Sequence, residues 1–193
     1  MPYMISNVVE PGALADRPQP TMPAPGGLTL RPWTPKDAPS VYEAFKDPVI
    51  QRWHARAADS EDEVRSWMET WRTEYADETS AQWAVADADT DEVLGRVALR
   101  MITLADGQAE MAYWTMPRAR GRGVASRAVT ALTAWAFDDL GLHRLELRHS
   151  TRNEPSCRVA LRTGYTPEGT QRSAALHEDG WHDMHLHARI RPA

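Results

Sequence analysis

Met116-Pro-Arg-Ala-Arg-Gly-Arg-Gly-Val-Ala-Ser126 is the most informative stretch of the chain. An alternating segment, Gln108–Met116, leads into it and reads as a strand. An amphipathic segment leads out, with Val124, Ala128, Leu132 and Trp135 along one side at helical spacing. Strand, tight turn and helix in that order leave backbone N–H groups unpaired at the helix start, and these together with the helix dipole attract an anion. Gly121 and Gly123 permit the turn and let a ligand approach without a Cβ in the way. Arg118, Arg120 and Arg122 add positive charge. The stretch lacks the Gly-Lys-Ser/Thr ending of a P-loop and the three-glycine spacing of a dinucleotide fingerprint. It reads either as another kind of phosphate loop or as a basic turn that only caps a helix.

On the N-terminal side, strands are expected over about Ala81–Ala88 and Glu92–Met101, with turns at Thr90-Asp91 and Asp106-Gly107. Further upstream, Leu28–Trp33 alternates as a strand. Thr34 then caps a helix with Pro35 at its first position, and Asp47-Pro48 is expected to stop it. Ser60-Glu-Asp-Glu63 is a capping box that opens a second helix, whose face carries Val64, Trp67, Met68, Trp71 and Tyr75. On the C-terminal side, a helix over about Gly123–Asp139 ends at Gly141. A strand at Arg144–His149, a short helix at Glu154–Thr163, and strands near Tyr165–Ala174 and Trp181–Ile190 follow. The order βααβββαβαββ describes an α/β (α+β) domain of about seven strands and four helices over residues 28–193. Residues 1–27 carry Pro2, Pro11, Pro18, Pro20, Pro23 and Pro25 and end in Gly26-Gly27, so a loosely ordered arm is expected there.

Composition narrows the function. The 193 residues fit one domain, with 42% hydrophobic and 25% charged residues, as in soluble proteins. A net charge of −5 gives no basic excess for tracking nucleic acid. Cys157 is the only cysteine, which excludes an internal disulfide. No signal peptide and no apolar run of about 20 residues is visible, so a cytoplasmic protein without a membrane partner is expected.

The loop resembles the signature of the GNAT acetyltransferase superfamily, which reads Arg or Gln, two residues, Gly, one residue, then Gly or Ala. Arg120-Gly-Arg-Gly123-Val-Ala125 matches it, and Arg118-Ala-Arg-Gly121-Arg-Gly123 matches it two residues earlier; the first register fits the family's common Arg-Gly-x-Gly. Asn153-Glu-Pro-Ser156, a helix, Gly164-Tyr165 and Glu168-Gly169 resemble the RimJ/RimL branch, as does Leu186-His-Ala-Arg-Ile190. The resemblance spans roughly Leu28 to Ile190. It implies the GNAT fold, a twisted, mixed, mostly antiparallel central sheet, and acetyl-CoA as cofactor. Arg120, Gly121, Arg122, Gly123, Val124, Ala125 and Ser126 would hold the CoA pyrophosphate. Trp114, Thr115 and Met116 would pair with its pantetheine arm, with Asn153 and Ser156 at the thiol end.

Many family members protonate the departing thiolate with a tyrosine at the place of Ala160; the RimL-like alternative is Ser156, taken as catalytic here. Glu110 is the candidate base, with His177, Glu178 or water as substitutes, because the position that carries a carboxylate in some RimL-like members is Ala175. Trp53 and His54 are the candidate acceptor-binding residues. The acceptor is expected to be the N-terminal α-amine of a protein or peptide, acetylated directly in a ternary complex. The alternatives are a small amine, such as an amino sugar antibiotic or polyamine, or a non-catalytic acyl-CoA-binding module. Either a monomer or a homodimer is compatible with the chain. His185 and His187 share a strand face near His182, but two ligands are too few for a metal, so none is expected.

Overall fold

Ala81–Asp87 and Val93–Thr103 are apolar almost throughout, and strands of that kind need cover on both faces. A computed structural model, which describes residues 5–192, supplies it. Eight strands form one sheet in the order β1-β2-β3-β4-β5-β6-β8-β7. They are β1 (Met22–Ala24), β2 (Leu28–Pro32), β3 (Ala81–Asp87), β4 (Val93–Thr103), β5 (Gln108–Thr115), β6 (Arg144–Ser150), β7 (Thr166–His177) and β8 (Gly180–Ile190). Five helices accompany them: α1 (Ala38–Ala44), α2 (Pro48–His54), α3 (Glu61–Ala76), α4 (Val124–Asp138) and α5 (Glu154–Arg162). The Gln82 amide donates to Glu74 of α3, while its neighbour Trp83 packs edge-on against Trp135 of α4. Successive strand residues point to opposite faces, so α3 and α4 cover the sheet from opposite sides.

Every strand pair is antiparallel except β5 with β6. That parallel pairing covers only Gln108–Glu110 against Arg144–Glu146. Beyond it β5 stays on β4 as far as Thr115, and β6 stays on β8 as far as Ser150. The sheet therefore opens into a wedge at its centre, with one backbone edge of Met111–Thr115 unpaired.

The α/β class and the element order agree with the sequence reading, with two additions. Asp47-Pro48 starts a helix as well as ending one. The Asp47 carboxylate accepts the N–H groups of Val49 and Ile50, and proline at the first helical position lacks only an N–H that would have no partner there. The other addition is β1, three residues paired to β2.

The expectation of a loose arm is corrected for residues 5–27; Met1 and Pro2 lie outside the described residues. Val9, Leu14, Met22 and Ala24 are buried in the core. The Glu78 carboxylate accepts the N–H groups of Gly12 at 2.8 Å, Leu14 at 2.6 Å and Ala15 at 3.2 Å. The Trp83 indole donates to the Pro20 carbonyl, and the Arg17 guanidinium lies over the Trp135 ring. Prolines bar helix from this segment, but an extended chain can still bury apolar side chains and bond through its carbonyls. Among the described residues no helix is long and apolar enough to cross a membrane.

Candidate active site

A cleft of about 410 Å³ lies at the mouth of the wedge, between the N-termini of α4 and α5. Its floor carries Trp114 and Thr115 of β5. One wall is the loop Arg120, Gly121 and Gly123 with Val124, Ala125 and Ser126 of the first turn of α4. The other wall holds Asn153 and Ser156 of α5 and a helical face made by Pro155, Arg158, Val159 and Arg162. Trp53 and His54, in the last turn of α2, close one end.

Gly121 and Gly123 have φ of +74° and +73°, the left-handed region that side chains disfavour. A Cβ built on either meets no protein atom within 4 Å, so both glycines border open space. Gly123 is the N-cap of α4, and no side chain caps that end. The first-turn N–H groups face a space with room for an anion.

The arginines are deployed differently from the sequence expectation. Arg120 bonds Asp47 at 2.6 Å, joining the loop to α2, and Arg118 bonds Glu92 and the Val93 carbonyl. Arg122 is exposed and does not line the cleft, and Met116 is buried with its N–H bonded to the Leu94 carbonyl. The cations that do line the cleft, besides Arg120, are Arg158 and Arg162. Their i, i+4 spacing, with Pro155 and Val159, marks one face of a helix and is visible in the sequence.

Asn153 is the N-cap of α5, its side-chain oxygen accepting the Ser156 N–H at 3.2 Å. The Tyr113 hydroxyl donates to the Ser156 carbonyl at 3.4 Å. Ala160 is fully buried, and Tyr165 is buried with its hydroxyl bonded to Thr133 at 2.8 Å. Neither lines the cleft, whereas Tyr113 and Ser156 do. Burial pushes the Tyr113 phenol up to about 12, so it stays protonated.

Glu110 stands apart from this group. Its carboxylate lies 3.7 Å from Arg148, and it does not line the cleft. At the α2 end, the Trp53 and His177 rings are 6.0 Å apart. His177 Nδ1 donates to the Arg52 carbonyl at 2.9 Å, which leaves its Nε2 as an unprotonated acceptor in the neutral ring. Burial, reinforced by Arg96 and Arg100, pushes the His54 imidazole down to about 3. Arg96 is buried on β4 with its Nε unpartnered, a feature hidden in the sequence because nothing local marks it.

Residues 27–166 match the family model for the acetyltransferase (GNAT) domain. The chain is 25% identical over 166 residues to the uncharacterized N-acetyltransferase YoaA of Bacillus subtilis, covering 86% of this chain and 94% of YoaA. It is 32% identical over 100 residues to the ribosomal-protein-serine acetyltransferase of Escherichia coli, 52% of this chain and 56% of that one. A structure of RimL, a ribosomal L7/L12 α-N-protein acetyltransferase, in complex with coenzyme A superposes with a TM-score of 0.80 at 20% identity, covering 89% of this chain and 98% of that one. The family match takes in the glycine loop, the splayed strands and the start of α5, and the chain is a GNAT acetyltransferase.

Proposed function

We propose that the cleft binds acetyl-CoA and delivers its acetyl group to a primary amine, foremost the N-terminal α-amine of a protein or peptide. The open cradle at Gly121 and Gly123 carries this reading: two left-handed glycines and an uncapped helix start border empty space beside an unpaired strand edge. The residues suit the cofactor. Amides of Gly123–Ser126 would hold the pyrophosphate, Arg158 and Arg162 would supply charge to its phosphates, and the free edge of β5 at Trp114 and Thr115 would pair with the pantetheine amides.

Bound acetyl-CoA supplies an acetyl thioester with a good leaving group. The chain's part is to orient it, donate to the acetyl oxygen from the β5 backbone, and hydrogen-bond the sulfur from the Ser156 hydroxyl. Tyr113 braces the turn that carries Ser156 and is the alternative donor. Neither Glu110 nor His177 lines the cleft; Glu110 lies beside Arg148, whereas His177 packs against Trp53, which does line it, so we favour His177 as the acceptor for the proton the amine gives up, through water.

Charge at the cleft bears on the acceptor. His54 is held neutral chiefly by burial, and the cations that line the cleft itself are Arg120, Arg158 and Arg162. The same charge disfavours polycations such as polyamines or amino sugar antibiotics. A single α-amine on a polypeptide fits better, and it is the acceptor for which RimL is named. Calorimetric titration of CoA is the test: Gly123→Val should weaken binding at least tenfold while Arg122→Ala changes it little. Unchanged affinity in Gly123→Val would remove the loop from the cofactor site.

A further inference from the structure

Outside the cleft lining, at the residue that follows Ser156, four side chains converge from three elements. Antiparallel pairing of β6 with β8 puts His149 opposite His185, with His187 two residues along on the same sheet face. The first turns of α5 bring Cys157 onto that face. One ligand atom from each of His149, Cys157, His185 and His187 lies within 4.8 Å of the other three. The sequence offers only His185 and His187 as neighbours; the fold adds His149 from β6 and Cys157 from a helix.

The protons in this cluster are constrained. His149 Nδ1 donates to the Ser150 carbonyl at 2.9 Å, and His187 Nδ1 donates to the Tyr165 carbonyl at 3.4 Å. A carbonyl only accepts, so each ring carries its hydrogen on Nδ1 and, when neutral, a bare lone pair on Nε2. The two Nε2 atoms nevertheless face each other at 3.2 Å. Two lone pairs at that distance repel unless a cation lies between them. A metal ion satisfies both. In a tetrahedral zinc site with Zn–N bonds of about 2.0–2.1 Å, neighbouring nitrogens are about 3.3 Å apart. Ligating histidines also normally donate their second ring nitrogen to a carbonyl or carboxylate, as both do in this cluster.

We propose that His149, His185, His187 and Cys157 form a binding site for a divalent late transition metal, zinc foremost, that ties α5 to the β6–β8 pair. Three imidazoles and one thiolate select such an ion over magnesium or calcium. Four protein ligands fill a tetrahedral shell, so the ion is structural and activates no water. Binding takes the thiolate form of Cys157, so one proton passes from the thiol to solvent as the S–metal bond forms. The ion would clamp the helix that presents Asn153 and Ser156, without itself entering the acetyl cleft.

The test uses the untagged full-length chain, stripped with chelator, dialysed and titrated with Zn²⁺ or Co²⁺. One equivalent of either should bind. The Co²⁺ form should show intense tetrahedral d–d bands and a thiolate charge-transfer band, and Zn²⁺ should raise the Tm by several degrees. Cys157→Ser should abolish the charge-transfer band, and the half-exposed His185→Gln should weaken Co²⁺ binding at least tenfold. His143→Gln, an exposed histidine, should change neither. Binding of less than a tenth of an equivalent to the wild type, or a tetrahedral thiolate spectrum that survives in Cys157→Ser, would overturn the site, whatever the folding of the variants.

Discussion

The Asn153 side chain accepts the backbone N–H of Ser156 at 3.2 Å, so the residue we propose to meet the cofactor's sulfur is held by the cap of its own helix. Loss of such a cap costs about 1 kcal/mol. Asn153→Ala should lower stability by about that amount and reduce kcat, because the first turn of α5 loses its anchor. Asn153→Asp restores a good capping oxygen and should recover most of both. Urea unfolding and steady-state kinetics on the two variants make the check; equal kinetic defects in Ala and Asp would show that the amide itself, and not the cap, is required.

Ser156→Ala removes the hydroxyl while leaving the cap in place. A proton donor in the transition state is worth about 100-fold to 10,000-fold, and a hydrogen bond to a good leaving group far less, on the order of 1 kcal/mol. We expect the lower figure, about a fivefold fall in kcat, with acetyl-CoA affinity retained. If Ser156→Ala keeps full turnover and Tyr113→Phe loses it, the role belongs to the phenol.

Glu78 ties residues 12–15 to the domain with three backbone hydrogen bonds. Although burial alone would raise its pKa, the N–H groups of Gly12, Leu14 and Ala15 hold the carboxyl below its ordinary value. A carboxyl depressed in the folded state contributes stability above its unfolded pKa and loses it as pH falls through the lowered folded value. Glu78→Gln should therefore cost stability at neutral pH, by about 1–2 kcal/mol for weakened charge-assisted bonds, and flatten the loss in acid. Deleting residues 1–25 should lower the Tm more than Glu78→Gln, since it also uncovers the pockets filled by Leu14 and Met22. Thermal melts across pH decide; a truncated chain with unchanged Tm would contradict the packing.

His177→Gln should lower kcat at neutral pH and steepen the rise of rate with pH, because solvent base then replaces the ring. Glu110→Gln should leave the pH profile unchanged, as its carboxylate lies beside Arg148 outside the cleft. A pH–rate profile moved by Glu110→Gln and not by His177→Gln would reverse these roles.

Much of this architecture is legible in the amino-acid sequence, because the long strands and α3 and α4 carry strong periodicity and local caps. The parts that are not legible have physical reasons. Met22–Ala24 is too short and too proline-flanked to show a period, and it is a strand only because β2 offers an edge. Asp47-Pro48 is a stop signal for α1 and a start signal for α2, and sequence alone does not say that both apply. The glycine loop and Asn153–Ser156 announce themselves through spacing. Arg96 and the four-residue cluster around His149 do not, since each depends on strand pairing or on where a helix lands.

The acceptor is decided by incubating the chain with acetyl-CoA and two peptides of the same sequence, following free thiol and intact peptide mass together. One peptide has a free N-terminus and no lysine; the other has a blocked N-terminus and one lysine. The proposal predicts thiol release and the gain of one acetyl group on the first peptide, lost in Gly123→Val, with the second unmodified. Acetylation of the blocked, lysine-bearing peptide, or of small amines with neither peptide touched, would contradict it.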